Sequence, residues 1–440
     1  MSKAIGSERS RVIETLSSSK GRGIRVRYAP SPTGIPHIGN IRTALFNYLF
    51  AKNQGGEFLL RIEDTDRARL VPESVDKIKE SLILLNLKWD EEEHQSKRLD
   101  IYNKHLEILK VKKLAYEDQG AWRFKVEKGK NLTWNDVVHG PVKFSSDVIE
   151  DFVIVKSDGF PTYHFASVVD DHDLEISHVM RGDEWISSTP KHLLLYEAFG
   201  WKHPHFVHLP PILGSGHTKL SKRGGAKSVI EYVEEGYLPE AIVNFLALLG
   251  WAPKGDRELF TLDELVSEFS LDRLNKNSPI FNLEKLQWFN QQWLKKLSPN
   301  DFYKKLNDKF PHAYASKVTL SVIPLVQGRI GSIADFPKLA DSFYKKPPLT
   351  NPVIKAAPLS GATISQYAKD LEKIDWNPDM IRAGTAEFAR VHSVETKDLY
   401  RSLGVATFGN LVTPPLPESV SIIGKEETLE RVSELAKKKK

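Results

Sequence analysis

The feature that most constrains the fold is a basic, strand-like run that passes through a turn into an amphipathic helix. Residues 24–29 have the composition of a β-strand, and residues 30–36 contain three prolines and a glycine, which favour a turn. Apolar side chains then recur at helical spacing over residues 38–53. They are Ile41, Leu45, Tyr48 and Leu49. With a second strand predicted over residues 57–63, this strand–helix–strand order predicts an α/β domain with a parallel sheet.

The turn before this helix predicts a phosphate site. Unpaired backbone N–H groups and the helix dipole favour negative charge at a helix N-terminus. Far downstream, Lys219-Leu220-Ser221-Lys222-Arg223 supplies cations that a pentavalent transition state at phosphorus requires. Taken alone, that basic run would be an ordinary solvated patch. The two segments together predict ATP as a substrate, and adenylyl transfer as the reaction.

Composition excludes several classes of protein. The 440 residues are 40% hydrophobic and 27% charged, which is typical of a soluble globular protein with two to four domains. The sequence has no apolar run long enough to predict a membrane span. The absence of cysteine excludes disulfides, catalytic thiols and cysteine-based zinc sites. A net charge of +5 is compatible with an RNA ligand but does not indicate one.

Residues 1–23 are predicted to be a flexible extension. They contain no apolar segment of the kind found in secretory signals. Their arginines and serines leave an organellar transit peptide as the alternative, although Glu8 and Glu14 depart from that pattern. We expect a cytoplasmic protein, or an organellar matrix protein if the extension is a transit peptide.

Several motifs resemble the class I aminoacyl-tRNA synthetases. Residues 37–40, His-Ile-Gly-Asn, resemble the HIGH motif, and residues 219–223 resemble the KMSKS loop. Residues 29–34, Ala-Pro-Ser-Pro-Thr-Gly, are most similar to the glutamyl branch, because glutaminyl enzymes usually carry Glu and Asn at the places of Ser31 and Thr33. Further matches lie at residues 61–66, 156–164 and 179–185, and the resemblance is dense from residue 24 to about residue 295.

The resemblance implies a Rossmann-like parallel-sheet catalytic domain with a short insertion, followed by an all-α C-terminal region. The expected divisions are the catalytic halves 24–113 and 151–228, an acceptor-arm insertion at 114–150, a helical stem-contact domain at 229–298 and a helical anticodon-binding region at 299–440. Within the second half, the uninterrupted apolar run at residues 152–155 predicts a parallel strand buried on both faces.

The resemblance also implies a reaction and its partners. ATP and L-glutamate would form glutamyl-adenylate and pyrophosphate, and a terminal ribose hydroxyl of tRNA(Glu) would then attack the adenylate. Charging of tRNA(Gln) stays open at this stage. Mg²⁺ would accompany ATP, no zinc is expected, and we expect a monomer that does not bind membranes. The alternatives are a ligase that glutamylates a modified tRNA base and a catalytically inactive RNA-binding relative.

Residue roles follow from the matched motifs. The expected catalytic residues are His37, Lys219 and Lys222, and the ATP site would add Gly39, Glu184, Ser221 and Arg223. The expected glutamate site comprises Arg27, Ala29, Ser31, Glu63, Tyr163, Ser167 and Arg181. Of these, Arg181 is the favoured partner of the γ-carboxylate, with Arg27 as the second guanidinium. Glu63 would hold the α-ammonium group, and Ser167 stands where many family members have Asn.

Other conspicuous side chains receive structural interpretations. His203, His205 and His208 alternate along a predicted strand, but no carboxylate at a supporting spacing favours a zinc site. Trp251, Trp288 and Trp293 lie in helical patterns, and we predict that they are core residues.

Overall fold

The computed structural model describes residues 23–214, 216–218, 220 and 227–439. The chain divides into two units. The first consists of Met1–Val233 and Pro239–Leu286, and the second of Glu234–Leu238 and Gln287–Lys440. The predicted extension at residues 1–23 lies outside the described residues except for Gly23.

A parallel sheet forms the centre of the first unit. Its strands are β1 (Arg25–Tyr28), β2 (Glu57–Ile62), β3 (Glu91–His94), β9 (His178–Gly182) and β10 (His205–Leu209). Strand β2 pairs with β1 and β3, and β9 pairs with β10, all in parallel. The backbone N–H of Ser177 donates to the carbonyl oxygen of Arg25 at 2.9 Å, which brings β1 beside β9. The resulting order β3-β2-β1-β9-β10 confirms the predicted Rossmann-like sheet.

Helices cover this sheet. Those of the first unit are α1 (Ile38–Asn53), α2 (Ser74–Leu84), α3 (Leu99–Val111), α4 (Tyr163–Asp173), α5 (Thr189–Phe199), α6 (Val229–Glu234), α7 (Pro239–Leu248) and α8 (Leu262–Glu268). Helix α1 contacts β1, β2 and β9, and its apolar face is buried at Ile41, Leu45 and Leu49, while Tyr48 is half-buried. Burying this face removes apolar surface from water, which stabilises the fold by about 25 cal/mol per Å² and fixes the helix on the sheet.

Antiparallel strands fill the segment between the two halves of the sheet. Strands β4 (Ala115–Asp118), β5 (Ala121–Phe124) and β8 (Phe152–Val155) form one ladder, and β6 (Asn131–Asp136) and β7 (Gly140–Ser145) form a hairpin. The prediction for residues 152–155 was therefore wrong, because this strand runs antiparallel to β5 and Val153 is only half-buried. An apolar run indicates burial, but it carries no information about the direction of the partner strand.

The described residues of the second unit form helices joined by turns and loops. Its helices are α9 (Leu283–Lys296, from Gln287 onward), α10 (Pro299–Lys309), α11 (Thr319–Val326), α12 (Phe336–Ala340), α13 (Asn351–Ala356), α14 (Gly361–Leu371), α15 (Pro378–His392), α16 (Thr396–Phe408), α17 (Leu416–Ile423) and α18 (Lys425–Lys438). This confirms the predicted all-α C-terminal region. A core of its own includes Ile364, Ile381, Leu403, Val432 and Leu435.

The three tryptophans predicted to be core residues differ in their exposure to solvent. Trp251 and Trp293 are 1% and 9% exposed, whereas Trp288 is 36% exposed, so the prediction for Trp288 was wrong. Helix α9 buries a single stripe, and Trp288 lies off it. Among the helices of the described residues, none has both the length and the apolar character needed to cross a bilayer.

Candidate nucleotide and amino-acid site

His37 caps the N-terminus of α1. Its backbone is extended, and its ring Nδ1 accepts a hydrogen bond from the N–H of Gly39 at 3.0 Å. In a neutral ring that accepts at Nδ1, the proton lies on Nε2, which is then a donor. No acidic side chain stands in the first turn of α1, so the positive end of the helix dipole is not offset there.

Gly39 allows the His37 ring to pack against the helix. A Cβ atom at Gly39 would lie 2.9 Å from Cε1 of His37 and 3.0 Å from its Nδ1. Any side chain would therefore displace the imidazole. The requirement for glycine at this place in the motif is thus steric, and it is set by the ring of the histidine two residues earlier.

Of the KMSKS-like run at residues 219–223, the structure describes Leu220 alone. Lys219, Ser221, Lys222 and Arg223 lie outside the described residues. On the near side, Gly214 donates its N–H to the carbonyl oxygen of Thr218 at 2.8 Å. On the far side, His37 forms an isolated antiparallel bridge with Ser228. The first described residues after this run, Lys227 and Ser228, therefore lie beside the N-terminus of α1.

Five of the seven expected amino-acid residues lie on or just beyond β1, β2 and β9, whereas Tyr163 and Ser167 lie in α4. Arg27 is in β1 and Arg181 in β9, while Glu63 directly follows β2. Ala29 and Ser31 follow β1, where Ala29 is half-buried and Ser31 is exposed. These positions are at the carboxyl ends of parallel strands, where ligands bind in open α/β sheets.

Arg27 is paired with a carboxylate that the sequence had not singled out. Its Nε donates to Oδ1 of Asp171 at 2.9 Å, and Nη2 reaches Oδ2 at 3.4 Å. Arg61 donates from Nη1 to the same Oδ1 at 2.6 Å. Burial alone would raise the pKa of Asp171, but the two guanidinium groups hold it below its usual value. The available signal was an acidic residue four places after Ser167 on the face of a helix.

Glu63 belongs to the same buried cluster. It accepts a hydrogen bond from Nη2 of Arg61 at 3.1 Å and is 6% exposed. Burial raises the pKa of Glu63 to about 7, against the opposing charges of Arg61 and Arg27. Near neutral pH this carboxyl group is therefore close to its midpoint of ionisation, and a nearby cation would favour the ionised form.

Ser167 is fully buried within this cluster. Its Oγ accepts from Nη2 of Arg61 at 3.3 Å and lies 3.5 Å from Oδ2 of Asp171. The hydroxyl group is thus engaged with the ion pairs. A longer amide side chain at this place would have to find room among these groups.

Arg181 is buried among neutral side chains. Its Nη1 donates to the Tyr163 hydroxyl at 3.0 Å, its Nη2 to Oγ1 of Thr189 at 2.9 Å, and its Nε to Nε2 of His208 at 3.2 Å. The guanidinium carbon also lies 5.9 Å from the centre of the Trp185 ring. In the described part of the chain, no acidic side chain forms an ion pair with Arg181.

The histidines around Arg181 are uncharged near neutral pH. Burial lowers the pKa of His164 to about 4. Burial, and then the charge of Arg181, hold the pKa of His192 well below its usual value. The pKa of Tyr163 is raised by burial, so its hydroxyl group stays protonated. Arg181 is therefore the cation in a pocket of neutral hydrogen-bonding groups, and such a cation is costly to bury without an anion.

Glu184 and Arg42 lie where β9 meets α1. Glu184 is exposed, and its carboxylate folds over Gly182, where a Cβ atom would collide with it. Arg42, buried in α1, donates to the carbonyl oxygens of Pro210 at 2.5 Å and Leu249 at 3.3 Å. Burial lowers the pKa of Arg42 to about 10, while the charge of Glu184 opposes this shift.

Of the three histidines considered for zinc, His205 and His208 lie in β10. His208 is hydrogen-bonded to Asp136 and Arg181. Within the described ranges, no group of three or more His, Asp or Glu side chains is arranged to hold a metal ion.

Comparisons with known proteins agree with this architecture. Residues 23–121 and 117–288 match the family described as tRNA synthetases class I (E and Q), catalytic domain, and residues 280–436 match an anticodon binding domain. A glutamate–tRNA ligase of Dehalococcoides mccartyi is 39% identical over 93% of this chain and 96% of its own length. That of Bacillus subtilis is 36% identical over 94% and 100%.

Among solved structures, the crystal structure of a glutamate tRNA ligase from Elizabethkingia meningosepticum in complex with its amino acid is similar. It has a TM-score of 0.86 and 32% identity, and the match covers 95% of this chain and 100% of the other. The sheet order, the helix capped by His37 and the helical second unit are thus accounted for together: the chain belongs to the class I tRNA synthetases of the E and Q group.

Proposed function

We propose that the protein is a glutamate–tRNA ligase, which activates L-glutamate with ATP and transfers it to the 3′ end of tRNA(Glu). The observation that carries the proposal is Arg181, a buried cation with neutral neighbours at the carboxyl end of β9. Its position suits an anionic amino acid near the positive end of α1. The relatives named as glutamate–tRNA ligases, which match nearly the whole chain, support the same substrate.

ATP binds with its phosphates at the N-terminus of α1. His37 donates from Nε2 to charge that develops on the phosphates, which stabilises the transition state rather than removing a proton. Lys219 and Lys222 add cationic charge from the KMSKS-like run, with Ser221 and Arg223 beside them. Gly39 keeps the His37 ring in place, and Glu184 lies at the same end of the sheet. Mg²⁺ is bound mainly by phosphate oxygens.

Glutamate presents two carboxylates and one ammonium group, so its pocket needs both cations and an anion. Arg181 binds one carboxylate, and the sequence favours the γ-carboxylate for this role. Arg27, which shares Asp171 with Arg61, offers the second guanidinium group for the other carboxylate. Glu63 binds the α-ammonium group, while Tyr163, Ser31, Ser167 and Ala29 line the pocket. A neutral γ-amide would leave the Arg181 charge without a partner, which disfavours glutamine.

The chemistry itself proceeds in two transfers. A carboxylate oxygen of glutamate attacks the α-phosphorus of ATP, and pyrophosphate leaves with the bonding electron pair. A terminal ribose hydroxyl of tRNA then attacks the carbonyl carbon of the mixed anhydride, and AMP leaves. The protein contributes position and electrostatics, which lower the barrier without a covalent enzyme intermediate.

The test is pyrophosphate exchange and aminoacylation with the purified full-length protein. We expect pyrophosphate exchange with glutamate and not with glutamine. We also expect glutamate to be attached to the 3′ end of tRNA(Glu). Parallel reactions with tRNA(Gln) decide whether that tRNA is a second substrate. Absence of exchange in the presence of ATP, Mg²⁺, glutamate and tRNA would contradict the proposal. Gel filtration tests the expected monomer.

A further inference from the structure

A buried chain of hydrogen bonds leads from the β6–β7 hairpin to Arg181. Oδ2 of Asp136, the last residue of β6, lies 2.5 Å from Nδ1 of His208. On the other side of the same ring, Nε2 of His208 accepts from Nε of Arg181 at 3.2 Å. Asp136 and His208 are at most 1% exposed and Arg181 is 6% exposed. Because water hardly reaches these groups, each of them fixes the orientation of the next.

Both carboxylate oxygens of Asp136 are in use. Oδ2 faces the imidazole. Oδ1 accepts hydrogen bonds from the backbone N–H groups of Val138 at 3.0 Å and His139 at 3.1 Å, in the turn of the hairpin. This one carboxylate therefore joins the turn of the hairpin to the histidine that touches Arg181.

The tautomer of His208 decides whether its Nε2 can accept a hydrogen bond from Arg181. Burial, and the charge of Arg181, keep the pKa of His208 below its usual value, so the ring is neutral. Although burial opposes it, hydrogen bonds from His208 and the turn hold the pKa of Asp136 below its usual value. An ionised carboxylate can only accept, so the ring proton lies on Nδ1. Nε2 then carries the lone pair that Arg181 needs.

We propose that Asp136 is a positioning residue for Arg181, and that through His208 it sets the affinity of the protein for its amino acid. The inference rests on the proposed function in that glutamate is taken as the ligand of Arg181. A residue from the segment between the two halves of the sheet thus contributes to amino-acid selection without touching the amino acid. The guanidinium group is held by Tyr163, by Thr189, by a longer contact of 3.5 Å to Nδ1 of His192, and by the lone pair that Asp136 secures on His208.

Asp136→Asn tests this arrangement with little change in volume. The Asn oxygen can still accept from the turn, but its amide group donates towards His208. The ring must then move its proton to Nε2, which can no longer accept from Arg181 and finds only Oγ1 of Thr189, 3.3 Å away, as an acceptor. We expect the KM for glutamate to rise about tenfold or more, as for a lost hydrogen bond to a charged group, with an unchanged KM for ATP.

Asp147→Asn is the matched control. Asp147 accepts from the N–H of Gly129 at 2.7 Å and from the hydroxyl of Ser145 at 2.9 Å, at the open end of the same hairpin. It undergoes the same chemical change in the same hairpin, so we expect its KM for glutamate to match that of the unaltered protein.

Nitrogen NMR of ¹⁵N-histidine-labelled protein reports the tautomer directly. We expect His208 to carry its proton on Nδ1 in the unaltered protein and on Nε2 in Asp136→Asn. This measurement does not depend on activity. If the unaltered protein charges no glutamate, the proposed function fails, and the NMR result still decides the tautomer.

A second pair of variants applies if Asp136→Asn does not fold. His208→Gln and His208→Met both remove the imidazole, but only Gln offers Arg181 an acceptor. The proposal requires a higher KM for glutamate in the Met variant. It is overturned by equal KM values in this pair, by an unaltered KM in folded Asp136→Asn, or by a proton on Nε2 in the unaltered protein.

Discussion

Ile38 donates its backbone N–H to the carbonyl oxygen of Lys227 at 3.1 Å. The first residue of α1 is thereby joined to the first described residue after the KMSKS-like run. The N-terminus of α1 and the described chain that follows the KMSKS-like run are therefore joined by a backbone hydrogen bond.

The first prediction concerns Lys222. Replacing Lys222 with Ala should slow adenylate formation about a hundredfold, the effect of losing one preorganised transition-state donor worth about 3 kcal/mol. Binding of glutamate should be almost unaffected. Single-turnover adenylate formation and glutamate titration measure the two effects, with Lys222→Arg as the charge-preserving control. An unchanged rate would remove Lys222 from the mechanism.

The second prediction concerns Gly39. Gly39→Ala should lower the rate of activation, because the added Cβ lies 2.9 Å from Cε1 of His37 and must displace the ring. Helix stability should hold or improve, since Ala favours a helix by about 1 kcal/mol over Gly. A double-mutant cycle supplies the control. In a His37→Ala background, Gly39→Ala should cost little further activity, and a full additional loss would show that Gly39 acts by another route.

The third prediction concerns amino-acid discrimination. Arg181→Gln should raise the KM for glutamate about tenfold to a hundredfold, because a buried charge-assisted hydrogen bond is lost. If Arg181 binds the γ-carboxylate, the preference for glutamate over glutamine in kcat/KM should collapse as well. A variant that binds glutamate poorly yet keeps this preference would place the α-carboxylate at Arg181. The γ-carboxylate would then be at Arg27, and Arg27→Gln would be the next variant to assay.

The fourth prediction is a pH dependence. Because the pKa of Glu63 is about 7 in the free protein, its ionised fraction falls as pH drops below that value. Under the proposed assignment the ammonium group of glutamate binds the ionised form, so the Kd for glutamate should rise as pH falls, by up to about tenfold per unit well below the pKa. Calorimetric titration across this range measures it. Glu63→Gln should bind more weakly and show a flat profile, and a pH-dependent Gln variant would assign the titration to another group.

Local patterns in the sequence predicted the first strand–helix–strand unit almost to the residue. The helix over residues 38–53 was found because its apolar spacing and its turn are contained in a few adjacent residues. Arg181 and Glu63 were proposed as site residues from motifs, and the structure buries both at the carboxyl ends of strands.

The carboxylates Asp171 and Asp136, which lie near these residues, could not be predicted in the same way. Asp171 and Asp136 contact arginine and histidine side chains that lie far away along the chain, and nothing in local spacing encodes such a pair. The antiparallel pairing of residues 152–155 depends likewise on a distant strand. The exposure of Trp288 depends on which stripe of its helix is covered.

Arg42 has a consequence for dynamics. Its guanidinium group holds α1 to the carbonyl oxygens of Pro210 and Leu249, one before and one after the KMSKS-like run along the chain. The helix is therefore tied to the chain on both sides of that run. In hydrogen-exchange measurements, amides within α1 should exchange only through opening of the sheet itself. The amide of Ile38 should exchange faster, because its protection depends on the hydrogen bond to Lys227 rather than on the interior of the helix.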